Sequence, residues 1–323
     1  MRAVENLGFR IQNLGLRMRM QSLHTFTFFS ISIIVAFVFF APYAHAESAD
    51  LTSRARAILL VEADHGGVLL AKSPALELPI ASLTKLMTAL VFLDAHPNWQ
   101  RLIRIRSEDI RSSGRGVLVA GDQISLKDLF TVALIRSDNT AAQSLVTASG
   151  MSEEAFVAAM NAKAHAMGLD ETSFVESTGL DPKNMSTARD LVRLAHAAFV
   201  QPTIAGMLRQ PSATVSVLPA GKKIAGKKKV YSTNIILGKH AKSFQVVEGK
   251  TGTTDEAGYS FIVHAQTAEK PQRNLFAVIL SATSARERFD LALDLLTFGT
   301  TQLTQFPPAE SPRDTVLHSA AAR

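Results

Sequence analysis

The order of β-type and helical patterns along the chain constrains its fold more than any other feature. Near residue 60, two short apolar runs are joined by Asp64-His65-Gly66-Gly67, which is typical of a β-hairpin. A helical block follows, then four further β-type runs after residue 210 and a last amphipathic helix. The β-type runs are Ala57–Glu62, Val68–Ala71, Ala213–Leu218, Val246–Glu248, Tyr259–Ala265 and Leu275–Ser281. This order predicts an α+β fold, an antiparallel sheet flanked by helices with an inserted helical subdomain.

Capping residues and apolar spacing predict where the helices begin and end. Leu83–Ala95 has apolar residues at helical spacing, and Pro97 stops it. Ser125 and Thr187 each precede an aspartate by three residues, which is the spacing of a capping box. Further helices are predicted over Thr140–Ala148, from Ser152 to Gly168, and over Arg286–Phe298.

The first 46 residues are predicted to be a secretory signal peptide. Arginines precede an uncharged apolar run, Phe26 to Phe40, and Ala44-His45-Ala46 has small residues at the positions of a cleavage site. The run is short for a membrane span of about 20 residues, and an uncleaved anchor helix is the alternative. We therefore expect export, cleavage near Ala46, a folded domain at 47–305 and a disordered tail at 306–323.

Composition excludes several kinds of site. The chain has no cysteine, so disulfides and cysteine-based metal sites are excluded. Its nine histidines show no H-E-x-x-H or similar spacing, so no metal is expected. The formal net charge is +6, of which the leader holds +3 through four arginines and one glutamate. The remaining charge of +3 does not require a nucleic-acid partner. It is only weak support for a protein that acts close to an anionic polymer such as a cell wall.

Three short strings carry the chemistry of the sequence: Ser82-Leu83-Thr84-Lys85, Ser137-Asp138-Asn139 and Lys250-Thr251-Gly252. S-x-x-K alone is expected about once by chance in a chain of this length. The strings begin 55 and 113 residues apart, at a predicted helix start, an interhelical loop and a strand. A cleft between two subdomains draws on these kinds of element, so the set predicts a serine acyltransferase site.

Ser82 and Lys85 have the spacing of a nucleophile and its base. They lie three residues apart near a predicted helix start, on neighbouring parts of one face. A serine hydroxyl needs a base to take its proton, and a lysine is such a base only when its pKa falls well below about 10.4. Burial and a second cation, for which Lys250 is the candidate, both lower a lysine pKa. The competing interpretation is a plain N-cap and an exposed lysine.

Ser137 and Asn139 lie in a predicted loop between two helices. From there, Ser137 can relay a proton to a leaving amine and Asn139 can hold a substrate amide. Serine, aspartate and asparagine also fill turn and cap positions routinely, which is the competing interpretation.

The third string is predicted to lie on an edge strand beside Ser82. Lys250 and Thr251 would bind a substrate carboxylate there, and Gly252 would let the substrate backbone come close. The N–H groups of Thr253 and Ser82 would form an oxyanion hole, in which one donor lowers the barrier by about 3 kcal/mol. A simple turn at a strand end is the alternative.

Longer stretches around the three strings add a family resemblance. They are Leu78–Ala89, Ser137–Ala142, Met160–Ala164, Phe174–Asp190 and Lys250–Gly252. With them, the chain resembles low-molecular-mass penicillin-binding proteins of the D-alanyl-D-alanine carboxypeptidase family over roughly Ala55 to Thr300. The closest likeness is to the short D-alanyl-D-alanine endopeptidases.

The resemblance implies a β-lactamase/transpeptidase-like fold and a serine peptidase that acts on peptidoglycan stem peptides. The predicted signal peptide places such an enzyme in the periplasm. The resemblance also implies that β-lactams acylate Ser82, and that no metal or organic cofactor is needed. The positions matched to the family's site are Ser82, Lys85 and Ser137 as catalytic residues, and Asn139, Lys250, Thr251, Gly252 and Thr253 as substrate-binding residues.

Two reactions stay open within this family. An endopeptidase cleaves the crosslink between two stem peptides, whereas a carboxypeptidase releases terminal D-alanine. Longer carboxypeptidases carry a second β-rich domain and a C-terminal amphipathic anchor. Here Arg286–Phe298 has the apolar stripe of a core helix, and the sequence ends soon after it. We therefore expect a one-domain endopeptidase, on domain analogy alone.

Two other classes share the strings or the fold. A class A β-lactamase needs a glutamate that activates the deacylating water, usually in an E-x-x-L-N context. Neither Glu171 nor Glu176 has those neighbours, so we expect slow deacylation of penicillin. A noncatalytic β-lactam sensor or wall-binding module would not need both Ser82 and Lys85, and sensors usually follow membrane spans.

A basic run is made of Lys222, Lys223, Lys227, Lys228 and Lys229. It predicts a solvated hairpin loop rich in lysine and glycine. The alternative is a weak contact with an anionic wall polymer. Nucleic-acid binding is not expected, because no aromatic residues interleave with these lysines.

Overall fold

The computed structural model of the chain describes residues 49–111 and 116–305. The predicted signal peptide and the predicted tail therefore lie outside the described residues. The strands are β1 (Ala55–Glu62), β2 (Gly67–Lys72), β3 (Leu78–Pro79), β4 (Leu102–Arg104), β5 (Gln123–Ser125), β6 (Met185–Ser186), β7 (Ser212–Leu218), β8 (Gly226–Tyr231), β9 (Phe244–Thr254), β10 (Gly258–Thr267) and β11 (Asn274–Ala282). The helices are α1 (Lys85–Asp94), α2 (Leu126–Ile135), α3 (Asn139–Ser149), α4 (Glu153–Ala166), α5 (Ala188–Phe199), α6 (Pro202–Leu208) and α7 (Glu287–Gln305).

A central sheet has the order β2-β1-β11-β10-β9, and each neighbouring pair is antiparallel. Successive residues of a strand point to opposite faces. Leu59 and Val61 of β1 therefore join the core that includes α1 and α5, whereas Ile58 and Leu60 join the core under α7. Burial on both faces explains why the run is apolar without alternation. The predicted antiparallel sheet flanked by helices is confirmed.

The region between β2 and β9 holds α1 to α6 and a second sheet of order β4-β5-β7-β8. The run predicted as a strand at Ala213–Leu218 is β7, but it pairs with β5 and β8 rather than with the central sheet. Its alternating pattern indicates a strand and does not identify the partner. The partners were not predicted, because β5 is only three residues long and β8 is rich in lysine.

The predicted N-caps are present, with one difference. The hydroxyls of Ser125 and Thr187 accept hydrogen bonds from the N–H groups of Asp128 and Asp190. The aspartates do not complete reciprocal boxes in the structure. Asp128 instead accepts from the Ser216 N–H in β7, and Asp190 accepts from the Thr172 hydroxyl. The carboxylates thus tie each helix start to a distant segment.

A membrane span requires a helix of sufficient length and hydropathy. Among residues 49–111 and 116–305, no single helix is long and apolar enough to cross a membrane. The pair α5 and α6 meets the length and composition test only together, with a bend of 101° between its helices.

The lysine-rich run is a loop only in its first part, which corrects the prediction of a loop throughout. Lys222 and Lys223 lie in the connection between β7 and β8, whereas Lys227, Lys228 and Lys229 lie in β8 itself, an edge strand. Lys227 and Lys229 are exposed on one side of the strand. Lys228 points to the other side, where its Nζ lies 2.7 Å from a backbone carbonyl oxygen, that of Val117.

Candidate active site

Ser82 and Lys85 come from one continuous turn. A 3-10 segment, Ala81–Thr84, leads directly into α1, so that Lys85 is the first residue of the helix. The Lys85 Nζ donates to the Ser82 Oγ at 2.9 Å. Lys85 is 1% exposed and Ser82 is partly buried. The predicted spacing therefore does bring the two side chains into contact, and Lys85 is not an exposed helix lysine.

The second string occupies the short connection between α2 and α3. Asp138 caps α3 by accepting from the Ala141 N–H at 2.8 Å, and it also accepts from the Val117 N–H at 3.1 Å. This frees Ser137 and Asn139 to contact the two lysines. The Asn139 Oδ1 lies 2.6 Å from the Lys85 Nζ. The Ser137 Oγ lies 2.6 Å from the Lys250 Nζ.

The third string lies on β9, which is an edge strand of the central sheet as predicted. Lys250 is 1% exposed, and the Thr251 hydroxyl donates to the Thr233 hydroxyl at 2.7 Å. A Cβ atom on Gly252 would lie 2.7 Å from the carbonyl oxygen of Ile80. Glycine is therefore required here by the close approach of the protein's own backbone before Ser82, a reason that the sequence does not reveal.

Burial dominates the electrostatics of both lysines. Burial lowers the pKa of Lys85 to about 8, although the carboxylates of Glu176 and Asp138 act in the opposite direction. The pKa of Lys250 falls well below its usual value, first through burial and then through repulsion from Lys85 and Arg288. The sequence predicts that both burial and Lys250 lower the pKa of Lys85; burial is the lowering cause for Lys85, and the repulsion between the two lysines lowers the pKa of Lys250.

Two residues at the strings, one that directly precedes the first string and one that begins the second, have unusual backbone conformations. Ala81 has φ +47° and Ser137 has φ +61°, a region that residues other than glycine seldom occupy. Each such residue costs on the order of 1–3 kcal/mol and persists only where its surroundings hold it. Ser73, His96 and Ser281 also have positive φ, so this conformation does not identify the site by itself, but two of the five described cases lie at the strings.

Two functional candidates were missed by the motifs. Arg288 on α7 is 8% exposed, and its Nη1 donates to the Gly252 carbonyl oxygen at 3.1 Å and to the Thr253 Oγ1 at 2.7 Å. Its buried Nε has no hydrogen-bond partner, and burial lowers the pKa of the guanidinium. Glu176 also acts on Lys85. A lone arginine in a helix carries no motif, and Glu176 was considered only for the role of a β-lactamase glutamate.

The arrangement is suited to acyl transfer. A neutral Lys85 can take the proton of the Ser82 hydroxyl at 2.9 Å. Because the Ser137 Oγ accepts from Lys250, its own proton is free to pass to a leaving group. In the part of the chain that the structure describes, no group of three or more His, Cys, Asp or Glu side chains could hold a metal ion.

The chain is similar to known proteins over most of its length. Residues 43–284 match a family model described as D-alanyl-D-alanine carboxypeptidase, and this stretch includes all three strings. A D-alanyl-D-alanine endopeptidase of Pseudomonas aeruginosa is 36% identical over 255 residues, which cover 78% of this chain and 79% of the relative. The endopeptidase of Escherichia coli is 34% identical over 260 residues, with coverages of 75% and 79%. The ampicillin-bound penicillin-binding protein D2 of Listeria monocytogenes superposes with a TM-score of 0.63 at 28% identity, covering 76% of this chain and 97% of that one.

Proposed function

The chain belongs to the D-alanyl-D-alanine carboxypeptidase family of peptidases, and from that premise we propose that it cleaves peptidoglycan stem peptides through an acyl-enzyme on Ser82. The family expected from the sequence is confirmed. One observation carries the proposal for the residues: the fully buried Lys85 Nζ lies 2.9 Å from the Ser82 Oγ, and burial lowers the pKa of Lys85 to about 8. A lysine in that state is a competent base for a serine nucleophile.

In the proposed acylation, Lys85 takes the proton of Ser82 as the Oγ attacks the carbonyl carbon of the scissile peptide bond. The N–H groups of Ser82 and Thr253 are proposed to hold the oxyanion. The support for this role is the position of the two residues in the first string and directly after the third. As the C–N bond breaks, Ser137 gives its proton to the leaving amine. Lys250, which donates to the Ser137 Oγ at 2.6 Å, replaces that proton. Water then hydrolyses the acyl-enzyme.

Substrate binding is proposed to depend on buried positive charge. Lys250 is 1% exposed and Arg288 is 8% exposed. No described carboxylate forms an ion pair with either of them. Buried charges are normally paired, so this site is complementary to an anionic ligand. A substrate carboxylate held by Lys250 and Thr251 fits, with Asn139 near the peptide amide and Gly252 on the strand beside it.

We propose that crosslink cleavage is the preferred reaction, since the relatives at 36% and 34% identity are both named endopeptidases. Purified protein incubated with crosslinked muropeptide dimers and with monomeric pentapeptides is expected to give a higher kcat/KM on the dimers. Chromatography of the products measures both rates in one experiment. Release of terminal D-alanine without loss of dimers would contradict the preference and leave carboxypeptidase as the function.

β-Lactams are proposed as covalent inhibitors, because the similar Listeria protein is seen with ampicillin bound. Export to the periplasm with cleavage near Ala46 is also proposed. Its support is the apolar run Phe26 to Phe40 followed by small residues. Membrane association through a retained leader is the alternative.

The exposed lysines of β8 and its preceding connection are proposed to contact an anionic wall polymer. Lys227 and Lys229 project from the same side of β8, and Lys222 and Lys223 are exposed before it. Lys228 is the least suited, because it contacts the Val117 carbonyl oxygen. Changing Lys227 and Lys229 together to glutamate is expected to weaken cosedimentation with purified sacculi several-fold at low salt.

The matched control for that measurement is the double change of Lys239 and Lys242 to glutamate. Both lysines are exposed outside β8, and the charge changes by the same amount. The control should lose much less binding, and the difference should shrink as salt is added. Equal losses from the two pairs would mean that only net charge matters and that β8 is not a contact surface.

A further inference from the structure

The Glu176 carboxylate is saturated by donors from its own segment. Its Oε2 accepts from the Thr178 N–H at 2.7 Å and from the Thr178 hydroxyl at 2.6 Å. Its Oε1 accepts from the Gly179 N–H and from the Asn184 Nδ2, the latter at 2.8 Å. An ionised carboxylate has about four lone-pair sites, and protein donors fill four. Glu176 therefore has no site left for activating a water molecule.

The turn 176–179 delivers two carbonyl groups to α1. The Ser177 carbonyl oxygen accepts from the Thr88 hydroxyl at 2.6 Å, and the Thr178 carbonyl oxygen accepts from the Lys85 Nζ at 2.6 Å. A lysine ammonium has three donors. The other two are taken by the Ser82 Oγ at 2.9 Å and the Asn139 Oδ1 at 2.6 Å. The Thr178 carbonyl thus completes the set that orients Lys85.

Gly179 brings the same turn against the backbone of the nucleophile. It has φ +86°, and a Cβ atom there would lie 2.0 Å from the Ala81 carbonyl oxygen and 2.8 Å from the Ser82 nitrogen. Asn184 fixes this approach, because its Nδ2 donates to the Thr84 hydroxyl at 3.1 Å and its backbone carbonyl oxygen accepts from the Ile80 N–H at 3.1 Å. One turn therefore borders both the base and the backbone nitrogen of Ser82.

We propose that Glu176 is a positioning residue for acylation, which holds the turn 176–179 so that Thr178 orients Lys85 and Gly179 supports the backbone at Ser82. This inference rests on the proposed roles of Ser82 and Lys85. It gives Glu176 a different task from that of a β-lactamase glutamate, and it agrees with slow deacylation. The residue acts through its neighbours and does not touch the substrate.

The charge of Glu176 provides a readout that a purely structural role would not move. The charged groups that act with Lys85 are Glu176 from the turn, Asp138 from the start of α3 and Lys250 from β9. The two carboxylates raise the pKa of Lys85 against the effect of burial. A glutamine at 176 removes one of them, so the pKa of Lys85 falls and the neutral base persists to lower pH.

The test is the second-order rate of Ser82 acylation by a fluorescent penicillin, measured between about pH 6 and 10. For Glu176→Gln, the plateau rate is expected to fall about tenfold or more. The NH₂ group of the glutamine would face the N–H and hydroxyl donors that now bind the carboxylate, so the turn would shift and Lys85 would lose its orientation. The acid limb of its profile should lie at lower pH than in the wild type. Glu176→Asp keeps the charge, so its limb should stay in place while its plateau falls less.

Glu171→Gln is the matched control, since Glu171 precedes the same segment and its carboxylate accepts from the Thr187 hydroxyl at 3.3 Å. This variant should change neither the acid limb nor the plateau of the pH profile of acylation. Thermal unfolding and active-site titration correct every rate for the folded fraction. An unmoved limb in Glu176→Gln, with a rate loss explained by the folded fraction, overturns the inference. Failure of the proposed function differs, because the wild type itself would then form no adduct on Ser82.

Discussion

Replacing Ser82 by alanine is expected to abolish covalent labelling by a fluorescent penicillin and to lower peptidase activity by about 10⁴-fold or more. The change removes the hydroxyl to which the Lys85 Nζ donates at 2.9 Å and leaves the other side chains of the candidate site in place. Gel fluorescence and mass spectrometry of the intact protein measure the adduct. In the wild type, the adduct should persist, because all four acceptor sites of Glu176 are occupied by protein donors.

Ser173→Ala is the control for this experiment, since Ser173 is an exposed serine outside the three strings. It should label and cleave like the wild type. The melting temperature of Ser82→Ala should remain close to that of the wild type, which separates a lost nucleophile from a lost fold. Retained peptidase activity in a folded Ser82→Ala variant would refute the acyl-enzyme on Ser82.

Replacing Lys85 by methionine is expected to slow acylation of Ser82 by about 10²–10⁴-fold, the usual contribution of a general base. Methionine is similarly long and apolar, so it suits a position that is 1% exposed. Lys85→Arg is the informative companion, because arginine keeps a positive charge but does not lose its proton in proteins. Both variants should be similarly slow if the neutral amine is what the reaction needs.

The wild-type pH profile tests the same role of Lys85. Burial lowers the pKa of Lys85 to about 8. Below that pH the amine is mostly protonated and cannot accept a proton, so kcat/KM should fall about tenfold for each pH unit on the acid side. Stopped-flow acylation measures this limb. A limb that survives unchanged in Lys85→Met would assign the titration to another group.

Local patterns predicted the parts of the fold that depend on local physics. Apolar β-type runs located β7, β10 and β11, and hydroxyl side chains located the starts of α2 and α5. The same patterns did not show that β7 belongs to a second sheet, since a strand's sequence does not encode its partner. The Asp128 carboxylate illustrates this, because its bond to the Ser216 N–H spans 88 residues.

The candidate site shows the same division. Motifs identified Ser82, Lys85 and Lys250, whose side chains the structure brings into one hydrogen-bonded region. Glu176 was discarded because its neighbours do not fit a motif, yet its contact with Asn184 joins residues only eight apart. The sequence did not reveal the path of the turn 176–179, because that path depends on the close approach of Gly179 to Ala81. Arg288 needed the packing of α7 beside β9 before it could be placed near the site.

The two buried lysines of the candidate site also have a consequence for folding. The pKa values of Lys85 and Lys250 are lowered, so at neutral pH the folded chain binds these protons less readily than the unfolded chain does. Their protonation therefore opposes folding, and for Lys85 this cost diminishes as the pH rises from about 8 towards 10.5. A bound anion would relieve the same repulsion. Binding of an anion beside these lysines would therefore increase the free energy of unfolding.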